Sequence, residues 1–328
     1  MKTVIMLLTT AVLAISCSAQ PLKTASFTVK VMDEVGLPVS NATVSAGFYR
    51  NPKPGYGAGM IQHQVFEGST DTNGLCTVSG QCHGSASFKA TKEGYYRSIW
   101  PKVLFRESSV TRWEPWNQLY EITLRKIENP IPMYARYLRG APIPVNGKEL
   151  SYDLIQGDWL PPYGKGQTSD MVVLVNYEIG GMLRYGKSRK LEASIRVSFP
   201  NEGDGYLKIL DSPGDGSVFH LPRYAPESGY APIMTLREYE NDEENYVPQD
   251  ENINYFIRVR TEKDSEGKIV SALYGKIRGP IQFEFWPERA VCSMKYHLNP
   301  NPNDRNMEFD PNHNIFTNLT LTERANDP

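Results

Sequence analysis

The sequence is poor in the residues that most often carry chemistry. Its five histidines (His63, His83, His220, His297 and His313) are scattered, and neither H-E-x-x-H nor G-x-S-x-G occurs. These absences exclude the common zinc-peptidase and serine-hydrolase patterns. An excess of charge of one sign is lacking too: 35 basic residues face 37 acidic ones, a formal net charge of −2. Nucleic acid and anionic lipid therefore gain no electrostatic support as partners. Beyond Ile15 no apolar run approaches the roughly 20 residues that a membrane-spanning helix needs. Cysteine is limited to Cys17, Cys76, Cys82 and Cys292.

The start of the chain supplies what the rest lacks. Lys2 precedes a run from Val4 to Ile15 that is apolar apart from Thr9 and Thr10, and the small residues Ser16, Cys17, Ser18 and Ala19 come next. A basic start, a short apolar stretch and a small-residue exit describe a secretory signal over residues 1–19. Cutting after Ala19 fits the small-x-small rule. Cutting before Cys17 would leave a bacterial lipoprotein, because Ala14-Ile15-Ser16-Cys17 is similar to a lipobox, with Ala where Leu is favoured. The expected location is thus the bacterial cell envelope or the extracellular space, with a membrane touched only through an N-terminal lipid on Cys17. In an oxidising compartment Cys76 and Cys82 are the natural disulfide, since the five residues between them could form a hairpin loop. Cys292 would then remain free and buried. A zinc reading of Cys76, Cys82 and His83 lacks a fourth ligand.

Period-two alternation dominates the chain beyond the signal. Phe27, Val29 and Val31 alternate with Thr28 and Lys30, and Ala42, Val44, Ala46 and Phe48 with Thr43, Ser45 and Gly47. The same holds around Ala86, Phe88 and Ala90, and around Tyr120, Ile122 and Leu124. Such runs are strands with one face on a core. Turn signals stand at Gly36-Leu37-Pro38, Pro52-Lys53-Pro54-Gly55, Asn73-Gly74 and Ser79-Gly80. The pattern predicts an all-β chain: an N-terminal Ig-like or prealbumin-like β-sandwich over residues 24–127, then a second antiparallel β-rich domain with long loops over 133–328. Glu128-Asn129-Pro130-Ile131-Pro132 marks the boundary.

Three elements in the first half resemble the carboxypeptidase regulatory-like family. They are Val31-Met-Asp33-Glu-Val-Gly36-Leu-Pro38-Val39-Ser-Asn-Ala42-Thr-Val44, then Thr70-Asp71-Thr72-Asn73-Gly74, then Lys92-Glu93-Gly94-Tyr95. The resemblance implies a β-sandwich that serves as spacer, adhesive module or appendage, and implies no peptidase. Gly36 and Gly74 are expected at positive φ, Pro38 at a turn exit, and Ala42 where the sheets approach. Surface adhesins with similar modules suggest Lys30 and Asn117 as candidates for an isopeptide bond.

In the second half, strands are expected at Met171–Tyr177, Ala193–Phe199, Tyr206–Leu210, Tyr255–Thr261, Ile269–Ile277, Ile281–Phe285 and Ile315–Leu321. Asp264-Ser-Glu-Gly267-Lys should turn a hairpin. Long loops are expected between Asp211 and Asp250, with a short helix over Arg237–Tyr246.

Three places could carry function. Trp100, Trp113 and Trp116 could stack on sugar rings, although large aromatics in loops more often pack. Trp159 and Tyr163, with Lys165, lie on a Gly/Pro loop that could line a pocket or simply plug the sandwich. Asp304, Glu308 and Asp310 offer oxygen ligands for calcium, the one cofactor the sequence suggests, without EF-hand spacing. The expected function is that of a non-catalytic exported surface or envelope protein with a structural, binding or display role. The two alternatives are a carbohydrate-binding protein whose partner is a polysaccharide, and a secreted hydrolase with its site in the C-terminal loops. Another surface protein is the remaining partner class.

Overall fold

A computed structural model describes residues 22–50, 62–107, 111–180, 190–210, 216–240, 245–246 and 252–328. The signal segment with Cys17, and Pro52-Lys53-Pro54-Gly55, lie outside them. The chain is all-β, with no helix among the described residues. It divides into two compact units. Unit 1 holds residues up to Glu93 together with Arg97–Leu124, and unit 2 holds Gly94–Tyr96 and Arg125–Pro328.

Unit 1 contains β1 (Lys23–Asp33), β2 (Thr43–Arg50), β3 (Gln62–Ser69), β4 (Leu75–Cys82), β5 (Ser85–Thr91), β6 (Ser98–Leu104), β7 (Arg106–Glu107), β8 (Trp113–Glu114) and β9 (Gln118–Leu124). They form sheets of order β4-β1-β9 and β3-β2-β5-β6, plus the β7-β8 pair. Phe27, Val29, Val31, Val44, Ala46, Phe48, Phe88 and Ile122 are all buried, as their alternation requires. The Phe27 ring lies 5.9 Å from Phe48 and 5.4 Å from Phe88.

Two turns of unit 1 share one construction. Asp33 Oδ1 accepts the N–H groups of Val35 and Leu37 at 3.1 and 2.9 Å, with Gly36 at φ +83°. Asp71 Oδ1 likewise accepts Asn73 N and Leu75 N at 2.9 and 2.8 Å, with Gly74 at φ +74°. A Cβ on Gly74 would also lie 2.4 Å from the Val31 carbonyl. The aspartate replaces the missing backbone partners of a tight turn, and glycine supplies the left-handed residue. Thr70 then joins the two segments, since its hydroxyl donates to Val39 O and accepts Ala42 N.

Unit 2 contains β10 (Ile131–Ile143), β11 (Glu149–Asp153), β12 (Asp158–Trp159), β13 (Met171–Gly180), β14 (Lys190–Ser198), β15 (Gly205–Leu210), β16 (Ile233–Glu240), β17 (Asn245–Tyr246), β18 (Ile253–Lys263), β19 (Ile269–Trp286), β20 (Arg289–Leu298) and β21 (Phe309–Asn314). Two six-stranded sheets result, β15-β18-β19-β20-β10-β21 and β12-β11-β13-β14-β16-β17. Their facing sides share one core that includes Val173, Val175, Ile195, Val197, Ile257, Ile277, Phe285 and Tyr296. The expected β18–β19 hairpin is present, and Asp264 Oδ1 closes it on Glu266 N and Lys268 N as Asp33 and Asp71 do.

Five expectations are corrected. Cys76 and Cys82 lie on the single strand β4, paired with Val29 and Lys23 of β1, and all three described cysteines are free. Six residues of extended chain separate their Cα atoms by about 20 Å, far beyond disulfide reach. Ser79-Gly80 is likewise strand, not turn, and Gly80 is bare because a Cβ there would stand 2.4 Å from the Phe48 ring. The described residues of the expected helix over Arg237–Tyr246 are strand: Arg237 to Glu240 continue β16, and Asn245 and Tyr246 form β17. Ile315–Leu321 forms no strand, because Asn314 ends β21 by accepting Phe316 N at 3.0 Å. Lys30 and Asn117 form no isopeptide bond either. Lys30 pairs with Glu121 at 2.9 Å, and Asn117 takes the Ser26 hydroxyl one place before the β1–β9 ladder begins.

Candidate functional site

The aromatic residues of unit 1 do not form an exposed row. Trp113 is buried, donates its indole N–H to Cys82 O at 2.9 Å, and carries the Lys23 ammonium 5.3 Å above its ring. Trp100 stacks on Phe88 with centroids 5.8 Å apart and planes 3° apart, and Tyr120 meets it edge-on. Trp116 alone of the three is exposed, beneath the Arg112 guanidinium.

In unit 2 the Asp158–Gly166 loop closes on the core. Trp159 is buried, edge-on to Tyr152, and Gly166 N donates to its carbonyl at 2.9 Å. A Cβ on Gly164 would lie 2.3 Å from that same carbonyl, so the loop needs a bare residue there. Tyr163 is left at the surface. The loop is held from below by Asp153, whose Oδ1 accepts Ile155 N and Gln156 N and whose Oδ2 accepts Gln167 N and Thr168 N. Arg260 bridges Asp153 and Asp170 through contacts of 2.8 to 3.0 Å. Burial would raise the Asp153 carboxyl, but these donors together hold it below the usual carboxylate range.

The three carboxylates read as calcium ligands have separate partners. Glu308 is fully buried: its Oε1 accepts Tyr96 Oη–H and Glu128 N, and its Oε2 accepts Asn129 N and Arg223 Nη1–H at 2.7 Å. Burial opposes its ionisation, yet the Asn129, Glu128, Tyr96 and Arg223 donors lower its pKa below the ordinary value. Asp304 accepts Asn306 N, and Asp310 pairs with His313 at 2.6 Å. Among the described residues no three His, Cys, Asp or Glu side chains gather as a metal-holding group.

A third buried polar group sits between β19 and β20. Lys276 is buried, donates to Met307 O at 2.7 Å and stands 5.2 Å from the Phe219 ring centre. Burial first, then repulsion from Arg278, depress its ammonium to about 7, with Asp327 pulling the other way. His297, its cross-strand partner, is also buried and held well below its usual pKa, chiefly by desolvation.

What sequence reasoning missed is the outer face of β13, β14, β16 and β17. Strand register places Glu178 opposite Glu192, Glu192 opposite Tyr239, and Tyr239 opposite Tyr246, one row across four strands. Beside it runs Asn176, Ser194 and Arg237. Adjoining hollows of about 440 and 590 Å³ lie over these rows and share Glu178, Glu192 and Arg237. Arg237 donates to Glu192 at 2.9 Å and stands 5.4 Å from the Tyr239 ring centre. Tyr239 and Tyr246 stack with centroids 5.5 Å apart, and Tyr246 is 48% exposed. Asn146 forms one wall by pairing both ways with the Tyr177 backbone. The period-two run Thr235, Arg237, Tyr239 could have signalled this face.

No family model matches the chain, and no curated protein matches it. Solved structures do. The 3-chlorocatechol 1,2-dioxygenase of Rhodococcus opacus 1CP is 14% identical with TM-score 0.25, over 34% of this chain and 62% of its own. This chain therefore spans less than two thirds of that enzyme's length. BcpA, the major pilin subunit of Bacillus cereus, is 11% identical with TM-score 0.24, over 86% and 97% of the two chains. A membrane-associated protein of unknown function from Bacteroides fragilis is 8% identical with TM-score 0.18, over 86% and 99%. At TM-scores this low, these likenesses carry no argument about function.

Proposed function

We propose that this chain is a non-catalytic protein of the bacterial envelope or cell surface. In this reading unit 1 is a carboxypeptidase regulatory-like spacer, and unit 2 is a sandwich that presents the β13–β14–β16–β17 face to a partner. One observation carries it: the carboxylates buried in unit 2 are occupied by the protein itself. Glu308 receives four donors and Asp153 five, so these charges fix loops in place. The polar groups of the open face line adjoining hollows and are available to meet a partner. The resemblance at Asp33, Gly36, Thr70, Asp71 and Gly74 supports the spacer reading, because those residues build the turns that the family's pattern implies.

The test is export of the full chain in a bacterial host fed labelled palmitate. Recovery in the envelope or medium supports the reading, and label lost in Cys17→Ala assigns the anchor. Retention in the cytoplasm would overturn it. A second reading, a secreted glycosidase, is favoured by Glu178 standing directly opposite Glu192. Retaining glycosidases hold their two carboxyl groups about 5 to 5.5 Å apart, a separation within reach of glutamate side chains that face each other on adjacent strands. Release of reducing ends from a polysaccharide, abolished by Glu178→Gln and by Glu192→Gln, would establish it.

A further inference from the structure

We propose that the β13–β14–β16–β17 face of unit 2 binds a neutral polysaccharide; this rests on the reading of unit 2 as a presenting domain. Three features of the face point to that ligand class.

The first is aromatic. Tyr239 and Tyr246 lie stacked at one end of the row, and Tyr246 is half-exposed on a strand rather than in a loop. Tyr239 covers one face of the Tyr246 ring, and the other face of such a surface ring suits the C–H side of a pyranose.

The second is the hydrogen-bonding set. Glu178 and Glu192 stand directly across the ladder, and Arg237 offsets their repulsion on the Glu192 side. Each carboxylate accepts bonds from adjacent hydroxyls, and the Asn176 amide and Arg237 guanidinium return donors one row away. A polyhydroxy ligand uses acceptors and donors in such alternation and adds no charge.

The third is the balance of charge. The lining holds Glu178, Glu192 and Glu240 against Lys190 and Arg237. The acids repel an anionic polymer, and the two cations in the same hollows work against a basic peptide. A row across four strands about 4.8 Å apart is about 14 Å long, enough for a short run of sugar units.

The experiment is affinity electrophoresis of the full chain through gels containing mixed-linkage β-glucan, xylan, galactomannan or soluble starch. Polygalacturonate and polylysine serve as charged controls. The proposal expects retardation by at least one neutral polymer, weakened roughly tenfold in Tyr246→Ala and several-fold in Glu178→Gln, with Trp116→Ala binding as wild type. Loss of one ring-stacking contact is worth about that factor. Tyr246 and Glu178 are surface residues, so both variants should fold, which circular dichroism checks. Three results would overturn the proposal: no retardation by any neutral polymer, affinity that survives both variants, or affinity confined to a charged polymer. A chain that reaches the envelope but binds no neutral polymer refutes this inference alone. A chain that binds but stays in the cytoplasm refutes the surface reading and leaves the site standing.

Discussion

Replacing Lys276 by methionine should stabilise unit 2 at neutral pH. The ammonium is buried and held at about 7, against 10.5 for a free lysine. A displacement of that size corresponds to about 4 to 5 kcal/mol of lost folding free energy wherever both states are protonated. Between pH 7 and 10.5 the unfolded chain binds more protons at this site than the folded one. Stability therefore rises with pH across that window, by about 1.4 kcal/mol per unit, and the penalty is fully present below it. Methionine is similar in length and removes the charge, but leaves Met307 O without its donor at a cost of about 1 to 3 kcal/mol. The variant should gain about 2 kcal/mol at pH 7, and the gain should shrink by about 1.4 kcal/mol per unit toward pH 9.5. Comparing variant with wild type at each pH removes the contributions of tyrosines and thiols that titrate in both. Urea unfolding followed by pulsed thiol labelling of Cys292 reports on unit 2 specifically, because Cys292 is its cysteine on β20 and is buried. A variant destabilised by a constant amount from pH 7 to 9.5 would show instead that Lys276 is held charged.

Glu308→Gln should cost about 2 to 4 kcal/mol, because it takes the buried carboxylate from the Arg223 guanidinium, which keeps Glu128 and Lys126 O, and sets an amide N–H₂ against donors. The same labelling assay reads it, and a loss under 1 kcal/mol would contradict the anchoring role. In wild type the stabilisation from Glu308 is present above the ordinary glutamate pKa and is lost as pH falls through its lowered folded value. Gly80→Ala should destabilise unit 1 by about 1 to 3 kcal/mol through overpacking against Phe48, seen as a lower calorimetric transition; an unchanged one would contradict it. Protein prepared without reductant and denatured should titrate Cys76, Cys82 and Cys292 as free thiols, and a mass lower by two hydrogens would restore the rejected disulfide.

The strands of unit 1 were legible because one face of each is apolar in strict alternation, and the turns because Asp33, Asp71 and the glycines that come after them carry their own geometry. The β18–β19 hairpin was readable for the same reason at Asp264 and Gly267. Other features depend on register between distant strands, which local pattern does not encode. Gly80 looked like a turn residue, yet its missing side chain makes room for Phe48 of another sheet. Cys76 and Cys82 looked like partners because strand β4 contains polar Thr77, Ser79 and Gln81 on its outer side. Glu238, buried on the inner side of β16, interrupts the apolar alternation there and made a helix plausible. Glu178, Glu192, Arg237 and Tyr246 are dispersed along the chain and meet only through the order β13-β14-β16-β17. The acidic C-terminal stretch suggested a cation, but Glu308 serves backbone N–H groups and an arginine instead.

In the proposed function, unit 2 displays its open face outside the cytoplasm. Glu192→Cys in the full chain tests it most directly, because Glu192 is exposed in the middle of that face while Cys76, Cys82 and Cys292 are buried. Cells expressing the variant are treated with a membrane-impermeant maleimide, intact, after permeabilising any outer membrane, and after full lysis. Labelling is expected at residue 192 before the cytoplasmic membrane is broken, and none in wild type. Labelling that appears only after lysis would contradict it.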